Sequence, residues 1–426
     1  MIKVLNKYKS STFEYIYMVI MIIYMAQMTP ETSRMIGQLS GNPIPFLFPI
    51  ILTAILIRRH PISFKSISLV KILAIISIWS IAIVIKEQLF NAEELSYIFF
   101  LYYAIIIAYI HVQIYGKRLF IYYEDILVKI CFISFIIWLI AVAIPGTASI
   151  FRLFPETSYG NNILYLFCWM DPTKGQVSSG IIRNAGCSWE PGRFAIMILL
   201  AIFLNLSRKG INFKQNKNIY ILLATILSTQ STTGYSIVLI LYCIFLLKSF
   251  SLSNIILIIF ILIPIIYGTL SLGFMGSKIK AQLDIKSDIE RLQTSFDYNA
   301  QIRNKGEYRG SLGRFQAIYF EWINICHDPL LGYSRNSEHS FFYKKISTNY
   351  TLTGGLLKLI GQFGLVVGIF LYYCLFKSSI LIAKDNKYKR KYALAALLIC
   401  SSISYTIFTI PIFTAFWFYG SFKTRH

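Results

Sequence analysis

The sequence has few charged residues and very few acidic ones. Only 14% of its 426 residues are charged, and 41 lysines and arginines stand against 19 aspartates and glutamates. Hydrophobic residues make up 56% of the chain and the mean hydropathy is +0.60, values that a water-soluble surface does not permit. A soluble globular fold is therefore disfavoured.

The motifs of several enzyme classes are missing. The chain has no glycine-rich phosphate loop of the GxxxxGK[ST] type, no GxSxG elbow and no carboxylate pair spaced for metal chelation. Its seven cysteines include no CxxC motif and no Cys/His cluster. Cys168 and Cys187 are left open as either a pair or two free thiols. We predict no metal and no cofactor, and any synthesis would draw on an already activated substrate.

The chain instead contains a series of apolar stretches, several of which approach the roughly 20 residues that span a bilayer. They lie at about 13–28, 44–57, 67–85, 95–114, 126–144, 194–206, 219–229, 233–248, 253–274, 352–376, 391–405 and 409–420. This pattern predicts an all-α, polytopic integral membrane protein with about 10–12 transmembrane helices.

The distribution of charge predicts how these helices are oriented. With the N-terminus inside, most lysines and arginines fall in the inside loops, where acidic residues are limited to Glu124, Asp125 and Asp385. Such a bias is typical of loops retained in the cytoplasm, so both termini are predicted to be cytoplasmic. The net charge of +22 is then mostly a topology signal, and nucleic acid is not expected as a partner.

The same alternation divides the chain into five parts. About five N-terminal helices occupy 1–144, about four central helices occupy 194–274, and the C-terminal helices with a cytoplasmic tail occupy 352–426. The segments 145–193 and 275–351 are predicted to be large periplasmic loops, and loops of this length are usually functional or disordered. In the second loop, the apolar spacing predicts an amphipathic helix within 277–304 and another helix that ends before Pro329.

The end of the first loop carries a dense set of ionisable residues. Arg183, Glu190 and Arg193 stand among glycines and a proline just before an apolar stretch. Arg193 alone could be a headgroup anchor, because long cationic side chains reach toward the membrane surface. Glycine and proline fix an irregular backbone that anchoring does not require, which favours a binding site.

The second loop contributes Arg314, Arg335 and His339. A guanidinium fork binds diphosphate oxygens in bidentate fashion, and a histidine can accept a hydroxyl proton. These residues suit a hydroxyl attack on a donor whose leaving group is a lipid diphosphate. Between the seventh and eighth stretches, STQSTTGYS (228–236) is interpreted as a helix-packing turn.

Three segments together resemble the O-antigen polymerases, which extend surface polysaccharide in Gram-negative inner membranes. They are RNAGCSWEPGRFA (183–195), STQSTTGYS (228–236), and GRFQAIYFEWINICHDPLLGYSRNSEHSFF (313–342) followed by GLLKLIGQFGLVVGIFLYY (355–373). The sequence departs from the family in two places. Some of these polymerases keep a fixed spacing between an arginine and a glycine; counted from Arg183, Phe194 occupies the position of that glycine. In addition, Ser340 rather than a residue with a polar amide follows His339.

The resemblance implies a type C glycosyltransferase that joins oligosaccharide repeat units carried on undecaprenyl diphosphate. In the implied site, Arg183 and Arg193 hold the diphosphate, Arg314 and Arg335 assist, Glu190 orients the arginines and His339 is the base. The pathway's flippase and chain-length regulator are implied partners, alongside the lipid-linked glycan and the bilayer.

Three alternatives stay open at this point, one of which is a structural membrane scaffold with no active site. An O-antigen ligase, which moves finished polysaccharide onto the lipid A core, shares the same topology and chemistry. A flippase or transporter of the lipid-linked unit would also use about twelve helices, but it would line a cavity with charges and keep its loops short. The apolar stretches here hold few charges, Glu14, His111 and Lys358 among them.

Overall fold

The fold is given by a computed structural model. It describes residues 12–27, 44–88, 92–144, 161–164, 167–170, 182–188, 190–210, 216–246, 310–311, 314–334, 337–345, 350–351, 357–388, 390–405 and 407–423. The chain divides into two compact units. The first unit comprises residues 1–63, 110–255 and 383–390, and the second comprises 64–109, 256–382 and 391–426.

Almost all of the described regular structure is helical. The helices are α1 (Thr12–Gln27), α2 (Ile44–Arg59), α3 (Ile67–Glu87), α4 (Ala92–Tyr115), α5 (Arg118–Ala143), α6 (Pro191–Lys209), α7 (Asn218–Ser228), α8 (Thr232–Leu246), α9 (Arg314–His327), α10 (Phe341–Lys345), α11 (Lys358–Asp385), α12 (Ala393–Ser402) and α13 (Pro411–Phe422). Two small strand pairs add to them: β1 (Asn161–Leu164) runs antiparallel to β2 (Phe167–Met170), and β3 (Gly310–Ser311) runs parallel to β4 (Tyr350–Thr351).

The apolar stretches coincide with helices wherever the structure describes them. The stretch at 253–274 and the amphipathic helix predicted within 277–304 lie outside the described residues. Helix α9 confirms the predicted helix that ends before Pro329. Five described helices are long and apolar enough to cross a membrane, namely Ile67–Glu87, Ile98–Tyr115, Arg118–Ala143, Pro191–Lys209 and Lys358–Asp385. These helices confirm the all-helical, multi-pass membrane class; the small strand pairs were not predicted.

Several of these helices present large apolar side chains on their outer surface. Ile78 and Ile85 of α3 are exposed, as are Val366 and Ile369 of α11. In water, contiguous apolar faces of this kind mark an interaction site, whereas in a bilayer they face the lipid tails. The exposed faces therefore agree with a membrane environment.

Helix α6 is the centre of the first unit. Every residue from Pro191 to Leu206 is buried, and α5, α7 and α8 pack around the helix. The sequence determines both ends: Pro191 fits the first helical position, and Gly210 follows Arg208 and Lys209 at the C-terminus. A helix that is buried all round holds its polar residues in fixed positions, and those at its two ends become candidates for pairing or binding.

Buried carboxylates join the helices of the first unit. Glu124 of α5 accepts a hydrogen bond from Asn205 at 2.8 Å and pairs with Arg208 at 3.3 Å and Lys209 at 3.2 Å. Helix α1 is joined in the same way, because Arg118 pairs with the buried Glu14 at 3.0 Å. Each ion pair connects helices that are far apart in sequence.

The second unit contains a kinked helix. Residue Gly364, in α11, has φ 74° and ψ 171°, which interrupts the helical backbone. The kink lies against the turn that follows α9, since the Leu365 amide donates to the Pro329 carbonyl at 2.7 Å and the Tyr333 amide donates to the Gly361 carbonyl at 3.0 Å. The backbones approach so closely that a Cβ on Gly364 would lie 2.0 Å from the Leu330 carbonyl oxygen. Only glycine satisfies both the φ angle and this contact.

We predict that Gly364→Ala destabilises the protein more than the matched change Gly210→Ala. Gly210 has a similar backbone, φ 70° and ψ −169°, but a Cβ there meets no atom of the described residues within 4 Å. Both variants carry the strain of that conformation, about 1–3 kcal/mol. Only Gly364→Ala adds the clash with Leu330. The midpoint of thermal unfolding in detergent measures the difference, and equal losses would show that the close approach does not constrain the fold.

Candidate functional site

Arg183 is held by the turn between α7 and α8. Its Nε donates to the Thr229 carbonyl oxygen at 3.1 Å and its Nη2 donates to the Gln230 carbonyl oxygen at 3.3 Å. The side chain is half-buried. Two bonds from one guanidinium to successive carbonyls fix the plane of the group. The segments 183–195 and 228–236, which are far apart in sequence, therefore meet in the first unit.

Asn184 joins the same two segments. Its amide donates to the Ser228 carbonyl at 3.0 Å, and its side-chain Nδ2 donates to Ser228 Oγ at 3.0 Å. The side-chain oxygen accepts the Gly186 amide at 2.9 Å, which shapes the next turn. Asn184 is buried and uses both its donor and its acceptor atoms. Its bonds fix the backbone on which Arg183 stands.

Phe194 and Gly186 fit one another. Gly186 has φ +52°, and a Cβ there would lie 2.2 Å from the Phe194 ring. The aromatic ring therefore fills the space that the glycine leaves open. This packing gives a physical account of the phenylalanine that replaces the glycine expected from the family pattern.

Arg193 lies in the first turn of α6, not in the loop before the helix, because α6 begins at Pro191. Its side chain is only 4% exposed, so it points into the protein and is not a headgroup anchor. The N-terminal end of a helix carries a partial positive charge, and the acidic residue next to this first turn is Glu190 at the N-cap. Arg193 adds a cation to the positive helix end, an arrangement that suits an anion, and Arg183 belongs to the same unit.

Two neighbours of these arginines are informative. Glu190 occupies the N-cap position of α6 with an extended backbone. Cys187 is a buried free thiol; burial raises its pKa to about 12, although the charge of Arg193 acts in the opposite direction. The thiol is therefore protonated at neutral pH and is a poor nucleophile. Because Cys187 is free, the structure contains no Cys168–Cys187 disulfide, which was one of the two alternatives left open by the sequence.

Gln230 carries two unfavourable features beside Arg183. Its φ of +47° is uncommon for a residue with a side chain. Its Oε1 is buried and has no hydrogen-bond partner among the described residues. The interpretation of 228–236 as a packing turn is supported by Gly234, which lets α8 approach Ala195. A Cβ added to Gly234 would lie only 3.1 Å from the Cβ of Ala195.

His339 lies in the second unit beside an acidic residue that the sequence analysis did not select. It ends a short 3-10 helix, Ser337–His339, and its Nδ1 is 3.8 Å from Glu87 Oε2. The same carboxylate pairs with Lys344 at 2.7 Å and with Lys86 at 3.3 Å. Lys86 also pairs with Asp328 at 2.6 Å. His339 therefore belongs to a mixed ionic cluster at the C-terminal end of α3.

A second acid that sequence reasoning missed is Glu321. Its side chain is fully buried; it accepts the Tyr333 hydroxyl at 2.5 Å and the Asn324 Nδ2 at 2.8 Å. Burial raises its pKa, while the nearby charge of Lys358 acts in the opposite direction. Glu321 thus joins α9 to the turn before His339. The signal was present in the sequence, because Glu321 and Asn324 continue the buried helical stripe begun by Ala317 and Phe320.

The six predicted site residues fare differently. Arg183, Glu190 and Arg193 belong to the first unit, and His339 belongs to the second unit. Arg314 begins α9, but its side chain is not among the described residues, and Arg335 lies outside them altogether. Within the described parts of the chain, no three His, Cys, Asp or Glu side chains are grouped to hold a metal ion.

We predict that Glu321 makes the stability of the protein depend on pH. A carboxyl whose pKa is higher in the folded than in the unfolded protein binds more protons when folded. Its contribution is therefore largest below the usual glutamate range and is lost as pH rises through the folded pKa. Glu321→Gln should remove this fall in the unfolding midpoint with rising pH.

Glu338→Gln is the control, because Glu338 is exposed in the same part of the second unit. The unfolding midpoint of each variant would be measured in detergent from pH 4 upward. If Glu321→Gln and wild-type protein show the same fall between acidic and neutral pH, the buried carboxyl is not its source.

Comparison with known proteins adds no relative to this description. No model of a protein family matches the chain, and no curated protein sequence matches it. The function is therefore inferred from the sequence pattern and from two groups of residues. Arg183 and Arg193 lie in the first unit, and Glu87 and His339 lie in the second.

Proposed function

We propose that the chain is an O-antigen polymerase, a type C glycosyltransferase without a metal cofactor. It would join oligosaccharide repeat units carried on undecaprenyl diphosphate into long-chain polysaccharide at the periplasmic face of the bacterial inner membrane. The observation that carries the proposal is that the first unit holds two arginines of the predicted site in fixed positions: Arg183 is bound by two carbonyls, and Arg193 is buried in the first turn of α6.

The diphosphate of the donor suits this pair of arginines. The N-terminal end of α6 carries a partial positive charge and Arg193 adds a buried cation to it, so both stabilise an anion that binds there. A diphosphate supplies that anion and accepts bidentate bonds from guanidinium groups. During glycosyl transfer the leaving diphosphate gains negative charge, so the same contacts strengthen in the transition state. Glu190, at the N-cap, would orient Arg193.

The acceptor needs a base. In the proposal, His339 takes the proton of the acceptor sugar hydroxyl as its oxygen attacks the anomeric carbon of the donor. The side chain of His339 is 21% exposed, which leaves it open to a ligand. Arg314 and Arg335, at the start of α9 and shortly before His339, keep their assisting roles as part of the proposal.

The ion pairs support the predicted alternation of loops. Lys117 pairs with Asp385 at 3.5 Å, and both belong to loops predicted to be cytoplasmic. Lys344 pairs with Glu87 at 2.7 Å, and both belong to loops predicted to be periplasmic. Opposite charges meet where the sequence pattern assigns their loops to one side of the membrane. A cytoplasmic location of both termini completes the proposed topology, and the pathway's flippase and chain-length regulator remain proposed partners.

We predict that Arg183→Ala and Arg193→Ala lower extension of a lipid-linked oligosaccharide by purified protein by about 100-fold or more, the scale of losing one preorganised charge contact. Arg183→Lys keeps the charge but loses the planar fork, so it should be impaired as well. Lys129→Ala is the matched control, because Lys129 is an exposed cation of the same unit, paired with Asp125 one helical turn away. It should retain normal activity.

Deletion of the gene separates the proposal from its alternatives. Loss of a polymerase leaves lipid A core that bears a single repeat unit, whereas loss of a ligase leaves bare core. Extension of the glycan by purified protein in detergent would exclude a pure transporter. Normal long-chain polysaccharide from cells that express both arginine-to-alanine variants would overturn the diphosphate site.

A further inference from the structure

Glu87 occupies a position that its own helix disfavours. It is the last residue of α3, where the partial negative charge of the helix end repels a carboxylate. Its side chain is only 8% exposed, so water does little to screen it. A partly buried acid at this end of a helix persists because other charges compensate for it. The compensating groups indicate what the acid is for.

Three cationic or ionisable groups surround the carboxylate. Lys86 Nζ is 3.3 Å from its Oε1, and Lys344 Nζ is 2.7 Å from its Oε2. The third is the imidazole of His339, whose Nδ1 is 3.8 Å from the same Oε2. That distance exceeds a hydrogen bond, and contacts between catalytic groups are often long before substrate binds. The carboxylate is more buried than the imidazole beside it.

The segment that carries His339 is held by several independent contacts. The Phe342 amide donates to Asn324 Oδ1 at 2.9 Å, and the Tyr343 amide donates to Ser340 Oγ at 3.2 Å. Lys86 Nζ also donates to the Gly332 carbonyl oxygen at 3.1 Å, so α3 is tied directly to the turn before His339. The separation of Glu87 and His339 is therefore set by the fold of the second unit.

We propose that Glu87 is a positioning residue for His339: its carboxylate holds the imidazole through Nδ1 and stabilises the imidazolium that forms when Nε2 accepts a proton. This inference rests on the proposed function. The acceptor hydroxyl gives its proton to Nε2, its oxygen bonds to the anomeric carbon, and the bond from that carbon to the diphosphate breaks. The diphosphate leaves with the electron pair, and the imidazolium later returns its proton to water.

The other charged groups of the cluster modulate this pairing. Lys86 and Lys344 compete with the imidazole for the Glu87 carboxylate, and Lys86 also forms an ion pair with Asp328. Glu338 is the exposed neighbour of His339 in the chain. Removal of Lys344 should leave the carboxylate more strongly directed at His339, whereas loss of the carboxylate should remove the stabilisation altogether.

The test is the pH dependence of glycan extension by purified Glu87→Gln protein. Without the carboxylate, protonated His339 is less stable, so the acid limb of the rate profile should move to lower pH. The maximal rate should fall about 10-fold or more, while the KM for the acceptor changes little. Glu87→Asp should restore part of the rate, and Lys344→Ala should move the acid limb to higher pH.

The outcomes separate this inference from the proposed function. If His339→Ala protein keeps full activity, the assignment of the base in the proposed function fails. If His339→Ala is inactive but the acid limb is the same in Glu87→Gln, Lys344→Ala and wild-type protein, Glu87 has only a structural role and the inference is overturned. The unfolding midpoint identifies a variant that does not fold, and Lys344→Ala and Glu87→Asp then carry the test.

Discussion

The pairing of buried carboxylates is the interaction on which both units depend. A carboxylate removed from water is strongly unfavourable unless partners surround it, and removal of one partner from a buried pair costs about 3–5 kcal/mol. Glu14 and Glu124 in the first unit and Glu321 in the second are all almost fully buried. Each binds a residue from another helix or from a turn. With so few acids and so many bases in the chain, the positions of these acids select which bases are drawn inward.

This constraint acts differently at the two ends of α6. At the C-terminal end, Glu124 gathers Arg208 and Lys209, cations that also suit the negative end of the helix. At the N-terminal end, Arg193 is buried where the helix end has its own sign of charge. The first arrangement pairs opposite charges within the protein and is explained by stability. The second places positive charge where an anion can bind, which makes the N-terminal end the better candidate for function.

The helices could be predicted from the sequence, because a run of apolar residues long enough to cross a bilayer is a local property. The selection of Arg183, Glu190 and Arg193 was also possible, since they stand close together in the sequence. Glu87 and Glu321 were not selected: the helical spacing of Glu321 could be read, but its pairing with Tyr333 and that of Glu87 with Lys344 join residues more than ten positions apart. The kink at Gly364 depends in the same way on the distant Leu330 carbonyl. Such pairings are properties of the tertiary structure, and one sequence alone does not contain them.

The departures from local preference gather at the residues proposed to act. Gln230 has a left-handed backbone beside Arg183, Arg193 is a cation at a helix N-terminus, and Glu87 is an acid at a helix C-terminus. A charge with the same sign as its helix end, such as Arg193 or Glu87, destabilises the helix by about 0.3–1 kcal/mol. Proteins that follow local rules elsewhere often break them at functional sites. Gly186 and Phe194 show the contrast. The positive φ angle of Gly186 and the Phe194 ring that packs against it are explained by packing alone and require no ligand.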